Sequence, residues 1–192
     1  MKELLDEELG KEKSDIAFCL FKERVEQGKI VDLEIEGDSM SPFLSRGDTV
    51  SVRKVEFRDL RRGDIVVYRV DKRLYAHRYI HLAPSDKLVT KGDNNSHFDS
   101  LPIPAEQLIG KVVLVKKDKG VIALEVVSWK VINYFLASVS ALHGYVVLFL
   151  RFLNETFFRD KKGRFGILII KGLHFIFSVP FNLTVRMVNL DK

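Results

Sequence analysis

The sequence predicts a mainly β protein with helices at both ends, and three changes of pattern along the chain support this prediction. Residues 1–29 combine a charged segment with an amphipathic helical pattern. From residue 30 to residue 127, short runs alternate apolar and polar residues, as half-buried strands do. Residues 128–192 are dominated by two long apolar runs. We therefore divide the chain into an N-terminal helix, an antiparallel β domain and a helical hydrophobic region.

The N-terminal helix is predicted to begin at Ser14 and to end near Gly28. Serine is a preferred N-cap, and glycine is common just past the end of a helix. Between them, apolar residues recur at helical spacing from Ile16 to Val25. The residues before Ser14 are acidic and poor in apolar side chains, so we expect neither a signal peptide nor a membrane anchor there.

The β domain is predicted from six strand-like runs. In the first, Val31, Leu33 and Ile35 alternate with polar residues. The others read DTVSVRKV, DIVVYRV, RLYAHRYI, KLVTK and KVVLVKK. Gly-Asp pairs adjoin several of these runs, and glycine and aspartate favour the tight turns that antiparallel strands need. The runs therefore predict one small antiparallel domain.

The C-terminal region is predicted to meet a membrane. Residues 131–150 carry no Asp, Glu, Lys or Arg, and twenty residues are enough to cross a bilayer. A second apolar run, residues 165–185, is interrupted by Lys171, His174 and Pro180. Between the runs, residues 151–164 hold five basic residues against two acids, which suits anionic head groups. Membrane lipid is a predicted partner, with the apolar runs either spanning the bilayer or lying in its interface.

The composition of the chain bears on three other kinds of partner: nucleic acids, metals and cofactors. The net charge is +5 and the pI about 9.2, but 31 basic residues are interleaved with 26 acids over most of the chain. We therefore expect no nucleic-acid partner. The one cysteine, Cys19, excludes an internal disulfide, and no Cys/His spacing suggests a zinc site. We expect no metal and no cofactor.

Candidate catalytic residues begin with Ser39, which follows the first strand-like run. A serine hydroxyl becomes a nucleophile when a base takes its proton and donors stabilise the resulting oxyanion. His77 lies in a strand-like run, with His81 on the same side of the alternation. Downstream, Asp93 and Asp99 are both available to orient an imidazole. Singly, each residue type is more often structural, as a turn former or a buried histidine.

Together these segments resemble the signal peptidase I family between Ile35 and Val115. GDSMSPFLSRGDTVSV is similar to the nucleophile box, GDIVVYRV with YAHRYI to the base box, and VTKGDNNSHFDS to the acid box. The resemblance implies an antiparallel β serine endopeptidase with Ser39 as nucleophile and His77 as general base. It also implies that the Ser39 backbone N–H helps to form the oxyanion hole. Most bacterial members have lysine at the base position, so His77 points to the archaeal and endoplasmic-reticulum-type Ser-His-Asp branch.

The acid box contains two candidates for the third residue. The last acidic position of the family falls on Asp99, and Asp93 lies in the same box. We favour Asp99 as the residue that orients the histidine and keep Asp93 as a supporting or alternative residue. The resemblance further implies that the substrate is the signal or leader peptide of a precursor protein.

The chain departs from the family in the position of its apolar segments. Family members usually carry a membrane anchor directly before the serine box, where this chain has a short helix. The C-terminal apolar runs, with a basic segment between them, are therefore expected to hold the catalytic domain at a membrane. A cytoplasmic catalytic domain is one possibility, and its substrate would be the leader of a small exported or modified peptide.

Two other functions fit the same segments. Self-cleaving regulators of the SOS type share a similar Ser-Met-Pro box and fold, but they use a lysine base. They also carry an N-terminal DNA-binding domain, which we do not expect within the roughly thirty residues before the β region. A non-catalytic membrane adaptor would bind peptide by strand addition without cutting it. A long distance between Ser39 and His77 would favour the adaptor.

Overall fold

The structure of the chain, a computed structural model, describes residues 15–157, 172, 175–184 and 186. The predicted N-cap, Ser14, lies outside the described residues. So do residues 158–171 and much of the second apolar run, including Lys171.

Seven strands of the described chain form one antiparallel sheet. In chain order they are β1 (Val31–Glu34), β2 (Thr49–Arg53), β3 (Ile65–Val70), β4 (Arg73–Leu82), β5 (Leu88–Lys91), β6 (Leu108–Lys117) and β7 (Gly120–Ala123). Their order across the sheet is β1-β2-β6-β3-β4-β5, and β7 pairs with the last residues of β6. The predicted antiparallel β fold is confirmed, with β7 as a strand that the sequence pattern had not singled out.

Helices precede and follow the seven strands along the chain, as the sequence predicts. The described part of α1 covers residues 15–26, and Gly28 follows it with φ 79°, a left-handed conformation that favours glycine. After β7 comes the 31-residue helix α2, Val127–Phe157. A shorter apolar helix, α3, covers Phe175–Thr184. The predicted N-terminal helix and C-terminal apolar helix are thus both present.

The main hydrophobic core joins the three helices to the sheet. α1 contributes Val25, α2 contributes Leu136 and α3 contributes Phe181, and each of these side chains is at most 2% exposed. Between the helices lie buried residues of the sheet and of the loop between β1 and β2, namely Met40, Phe43, Leu44, Val50, Val52, Ile65, Val67, Val112 and Val115. The core therefore crosses the boundary predicted at residue 127.

Small residues allow α2 to approach the sheet closely. Gly63 has φ 99°, and a Cβ at this position would lie 2.5 Å from the carbonyl oxygen of Asn133. One to two turns further along α2, Ala137 and Ala141 are buried in a cluster with Ile80 of β4. Larger side chains at these positions would push the helix away from the sheet.

The packing of α2 predicts different effects for two leucines on opposite sides of the helix. Leu136 is fully buried in the core, whereas Leu142 is 57% exposed. We expect Leu136→Ala to lower the free energy of unfolding by about 2–5 kcal/mol, because it leaves a cavity. Leu142→Ala, the matched control, should change it by no more than about 0.5 kcal/mol. Urea denaturation of the full chain measures both, and equal losses would contradict the packing of α2 described above.

Candidate active site

Ser39 lies in the loop between β1 and β2, and buried side chains of the same loop anchor it to the core. Met40 and Phe43 from the same loop are at most 2% exposed. The carbonyl of Ser39 accepts a hydrogen bond from the Asn94 backbone N–H at 2.8 Å. The sulfur of Met40 accepts one from the Asp93 N–H at 3.4 Å. The serine loop is thus fixed both by the core and by the loop that follows β5, and the Ser39 side chain is left half-buried.

His77 stands on β4 and reaches Ser39 directly. Strand pairing places it opposite Val66 of β3, and its side chain is 5% exposed. The Nε2 atom lies 2.9 Å from Ser39 Oγ. At this distance Nε2 can accept the hydroxyl proton, which is the role of a general base.

Asp99 forms a hydrogen bond with the other ring nitrogen of His77, Nδ1. Its Oδ2 atom lies 2.7 Å from His77 Nδ1. Burial alone raises the pKa of Asp99, but hydrogen bonds and charge interaction with His77, joined by Thr90 and Tyr68, bring the net pKa below its ordinary value. An ionised carboxylate at Nδ1 favours the tautomer with the proton on Nδ1, which leaves Nε2 free to accept a proton.

Two further side chains position Asp99. The Tyr68 hydroxyl donates to Asp99 Oδ2 at 2.9 Å and lies 3.0 Å from His77 Nδ1. The Thr90 hydroxyl donates to the same carboxylate oxygen at 2.6 Å. Burial, together with the charge of Asp99, raises the pKa of Tyr68, so the phenol stays a donor. We did not predict either residue from the sequence. Thr90 lies within the acid box, but nothing in the sequence connects Tyr68 to it.

Asp93, the other predicted acid, makes a different contact. Its two carboxylate oxygens accept from Arg78 Nε at 2.8 Å and from a terminal Arg78 nitrogen at 2.7 Å. Both side chains are fully buried. Arg78 also donates to the Gly63 carbonyl at 3.0 Å and to Asn133 Oδ1 at 2.8 Å. The structure therefore brings together Ser39, His77 and Asp99, and it places Asp93 in an ion pair beside them.

Lys91 is a buried cation next to this group. Its Nζ donates to Ser140 Oγ of α2 at 3.0 Å and to the Gly92 carbonyl at 3.4 Å. Burial lowers the pKa of Lys91 to about 8, although the charges of Asp93 and Asp99 act in the opposite direction. We did not predict this residue from the sequence, because a lysine before a Gly-Asp turn is ordinarily exposed.

The arrangement as a whole is that of a Ser-His-Asp triad. The serine hydroxyl, the imidazole and the carboxylate form a continuous line of hydrogen bonds, which is the geometry for nucleophilic attack on a carbonyl. The role of the Ser39 backbone N–H in the oxyanion hole stays a prediction. Within the described part of the chain, no three His, Cys, Asp or Glu side chains are grouped so that they could hold a metal ion.

Comparison with known proteins identifies one family. A family model described as Peptidase S24-like matches residues 3–113, more than half of the 192-residue chain. The matched range contains Ser39, His77, Asp93 and Asp99. No curated protein matches the chain.

The two acids of the loop are predicted to respond differently to the same substitution. In Asp99→Asn the charged acceptor at His77 Nδ1 is lost, so we expect the downfield imidazole N–H resonance of the wild type to disappear from the proton NMR spectrum. In Asp93→Asn this resonance should persist, while the free energy of unfolding falls by about 3–5 kcal/mol because a buried arginine loses its ion partner. The reverse assignment of the two effects would contradict the geometry.

Lys91 predicts a pH dependence of stability. Its folded pKa of about 8 lies below the ordinary value of 10.5, so between these values the unfolded chain binds more protons than the folded chain. The free energy of unfolding of the wild type, relative to Lys91→Met, should therefore rise as pH increases through this window, by at most about 1.4 kcal/mol per pH unit. Urea denaturation of both proteins across the window measures the difference. A difference that does not change with pH would show that Lys91 titrates normally.

Proposed function

The chain belongs to the Peptidase S24-like family, and from this premise we propose that it is a serine endopeptidase that removes signal or leader peptides from precursor proteins. One observation carries the proposal. Ser39 Oγ lies 2.9 Å from His77 Nε2, and His77 Nδ1 lies 2.7 Å from the Asp99 carboxylate.

The proposed reaction uses these three side chains in sequence. Ser39 Oγ attacks the carbonyl carbon of the scissile peptide bond as its proton moves to His77 Nε2. Collapse of the tetrahedral intermediate breaks the C–N bond, and the departing amine takes the proton from Nε2. Water then attacks the acyl-serine ester, gives a proton to Nε2, and the released Ser39 recovers it. Asp99 holds the Nδ1–H throughout and stabilises the imidazolium.

The substrate class rests on the resemblance of the three boxes to signal peptidase I. The base box places His77 immediately before Arg78, which is the arrangement of the archaeal and endoplasmic-reticulum-type branch. Signal peptides combine a basic start, an apolar segment and a cleavage site with small residues. A synthetic peptide with these three features is therefore the probe for this function.

A long distance between Ser39 and His77 would have favoured the adaptor hypothesis, and the distance is short. A peptide-binding adaptor has no need to hold a serine against a histidine, and here the two atoms are within hydrogen-bond distance. The Asp99 carboxylate is also kept ionised at the far side of the ring, as a working base requires.

Cleavage of the chain's own backbone is a second candidate, because the family match favours it as much as it favours cleavage of another protein. The residue at the base position argues against it, since the self-cleaving regulators that share the Ser-Met-Pro box use lysine where His77 stands. Incubation of the purified chain alone distinguishes the two functions. Self-cleavage would give fragments at a rate independent of protein concentration, and these fragments would be absent from Ser39→Ala.

Substitution of the nucleophile or the base tests the proposed function. Ser39→Ala and His77→Ala should each reduce cleavage of the synthetic signal peptide by roughly three orders of magnitude or more, and the double variant should be no worse, since the residues act as a unit. Mass spectrometry of the products measures the rates. Ser45→Ala in the same loop and His97→Ala in the acid loop are matched controls that should keep activity. Near-normal cleavage by either triad variant would rule out the assignment.

A further inference from the structure

α2 has a buried side that packs on the β domain and an opposite side on which large apolar side chains are exposed. The buried side consists of Asn133, Leu136, Ala137, Ser140, Ala141, His143, Gly144 and Val147. The other side is exposed, and we call it the outward stripe. Its members are Val127, Val131, Tyr134, Phe135, Leu142, Tyr145, Leu148, Phe149 and Phe152, each between 47% and 76% exposed. Such a continuous apolar surface on a folded protein marks an interaction site.

The buried side holds α2 against the β domain over much of its length. Asn133 accepts a hydrogen bond from Arg78, and Ser140 accepts one from Lys91. At the edge of the outward stripe, the Tyr145 hydroxyl adds a contact 3.0 Å from His81 Nε2. From residue 133 to residue 145 the helix rises about 18 Å, so these contacts fix its direction along the domain.

This attachment is incompatible with a helix that crosses the bilayer. By length and composition, Val127–Leu153 is apolar enough to span. A spanning position, however, would carry the attached sheet with Lys91 and the Arg78–Asp93 pair into the hydrocarbon. Sheet edges, loops and buried charges of this kind are not tolerated there. The helix can meet lipid only along its outward stripe.

The charges around the outward stripe indicate which partner covers it. Between residues 127 and 153 the charged side chains are Lys130 and Arg151, both basic and exposed, one near each end of the stripe. The sequence then continues with a basic excess through residue 164. A second copy of the chain packed antiparallel on the same stripe would bring Lys130 of one copy towards Arg151 of the other. Anionic head groups instead complement both ends.

The aromatic residues of the stripe fit the same partner. Tyr134 and Tyr145 each combine an apolar ring with a polar hydroxyl, the property that places tyrosine at the boundary between hydrocarbon and water. The neighbouring helix α3 adds further exposed apolar side chains, namely Phe175, Ile176, Val179 and Leu183. α3 packs on α2 through a stack of His143 on Phe177, with ring centroids 4.9 Å apart.

We propose that α2 lies in the plane of an anionic membrane, with its outward stripe inserted into one leaflet and its buried side attached to the catalytic domain. Phe98, the residue before Asp99, lies with its ring centroid 5.1 Å from that of Tyr145, and a Cβ on Gly144 would lie 2.6 Å from the Phe98 ring. The docked helix therefore supports the acid loop from the membrane side. Peptide cleavage would take place next to the lipid surface.

Vesicle flotation of the full chain tests the partner. We expect flotation with vesicles of two parts phosphatidylcholine to one part phosphatidylglycerol, and weaker flotation with phosphatidylcholine alone. Leu142→Ser with Phe149→Ser should weaken binding at least about tenfold, because both apolar side chains leave the leaflet. Ile30→Ser with Val121→Ser removes equally exposed apolar side chains outside the stripe and is the matched control. Equal loss in both double variants, or no binding by the wild type, would overturn the proposal.

Depth measurement tests the orientation. In a Cys19→Ser background, nitroxide labels on single cysteines at positions 131, 142 and 149 report depth through collisions with oxygen and with a polar nickel reagent. An in-plane helix places all three at one shallow depth. A spanning helix, which rises about 27 Å between the outer two, would place position 142 deepest and would overturn the proposal. A stripe-dependent dimer with no depth signal would also overturn it, since a second copy would then cover the stripe.

Discussion

The buried ion pair between Arg78 and Asp93 links the elements that surround the site. Arg78 follows His77 on β4, Asp93 lies in the loop that carries Asp99, and the same guanidinium binds Asn133 of α2. Such a pair adds little net stability, because both charges lose their hydration, but removal of either partner leaves an uncompensated charge. The pair therefore fixes three elements relative to one another. Two of these elements carry His77 and Asp99, which also contact each other directly at 2.7 Å.

The sequence predicted those parts of the fold and the site that depend on local pattern. Strand alternation and turn residues located the sheet, and the serine and histidine boxes are contiguous segments, so Ser39 and His77 were identifiable. Asp99 was favoured over Asp93 only through the family resemblance, because both lie in one loop and differ in the partner that faces them. Tyr68 stayed hidden for the same reason: its contact with Asp99 arises from the pairing of β3 with β4 and β4 with β5. Contacts that depend on strand pairing, such as that of Tyr68 with Asp99, cannot be read from a single sequence.

The composition of α2 does not show that this helix packs on the β domain. Residues 131–150 carry no Asp, Glu, Lys or Arg and are mostly apolar, from which we expected spanning and interfacial positions alike. The β domain uses one side of this run, where Ala137 and Ala141 allow close packing and Ser140 meets the buried Lys91. Small residues and serines are equally common in helices that pack within membranes, so the pattern alone does not reveal a soluble partner. The Ser39–His77–Asp99 group and the exposed apolar stripe of α2 are therefore parts of one packed unit.

The central claim, that Ser39 is a nucleophile activated by His77, is tested most directly by covalent labelling. The full chain is treated with a serine-directed phosphonate, and mass spectrometry locates the modified residue. Only a serine whose proton is taken by a neighbouring base reacts readily with such a reagent. The account predicts modification of Ser39 in the wild type and its loss in His77→Ala. Modification at another serine, or undiminished modification of Ser39 in His77→Ala, would contradict it.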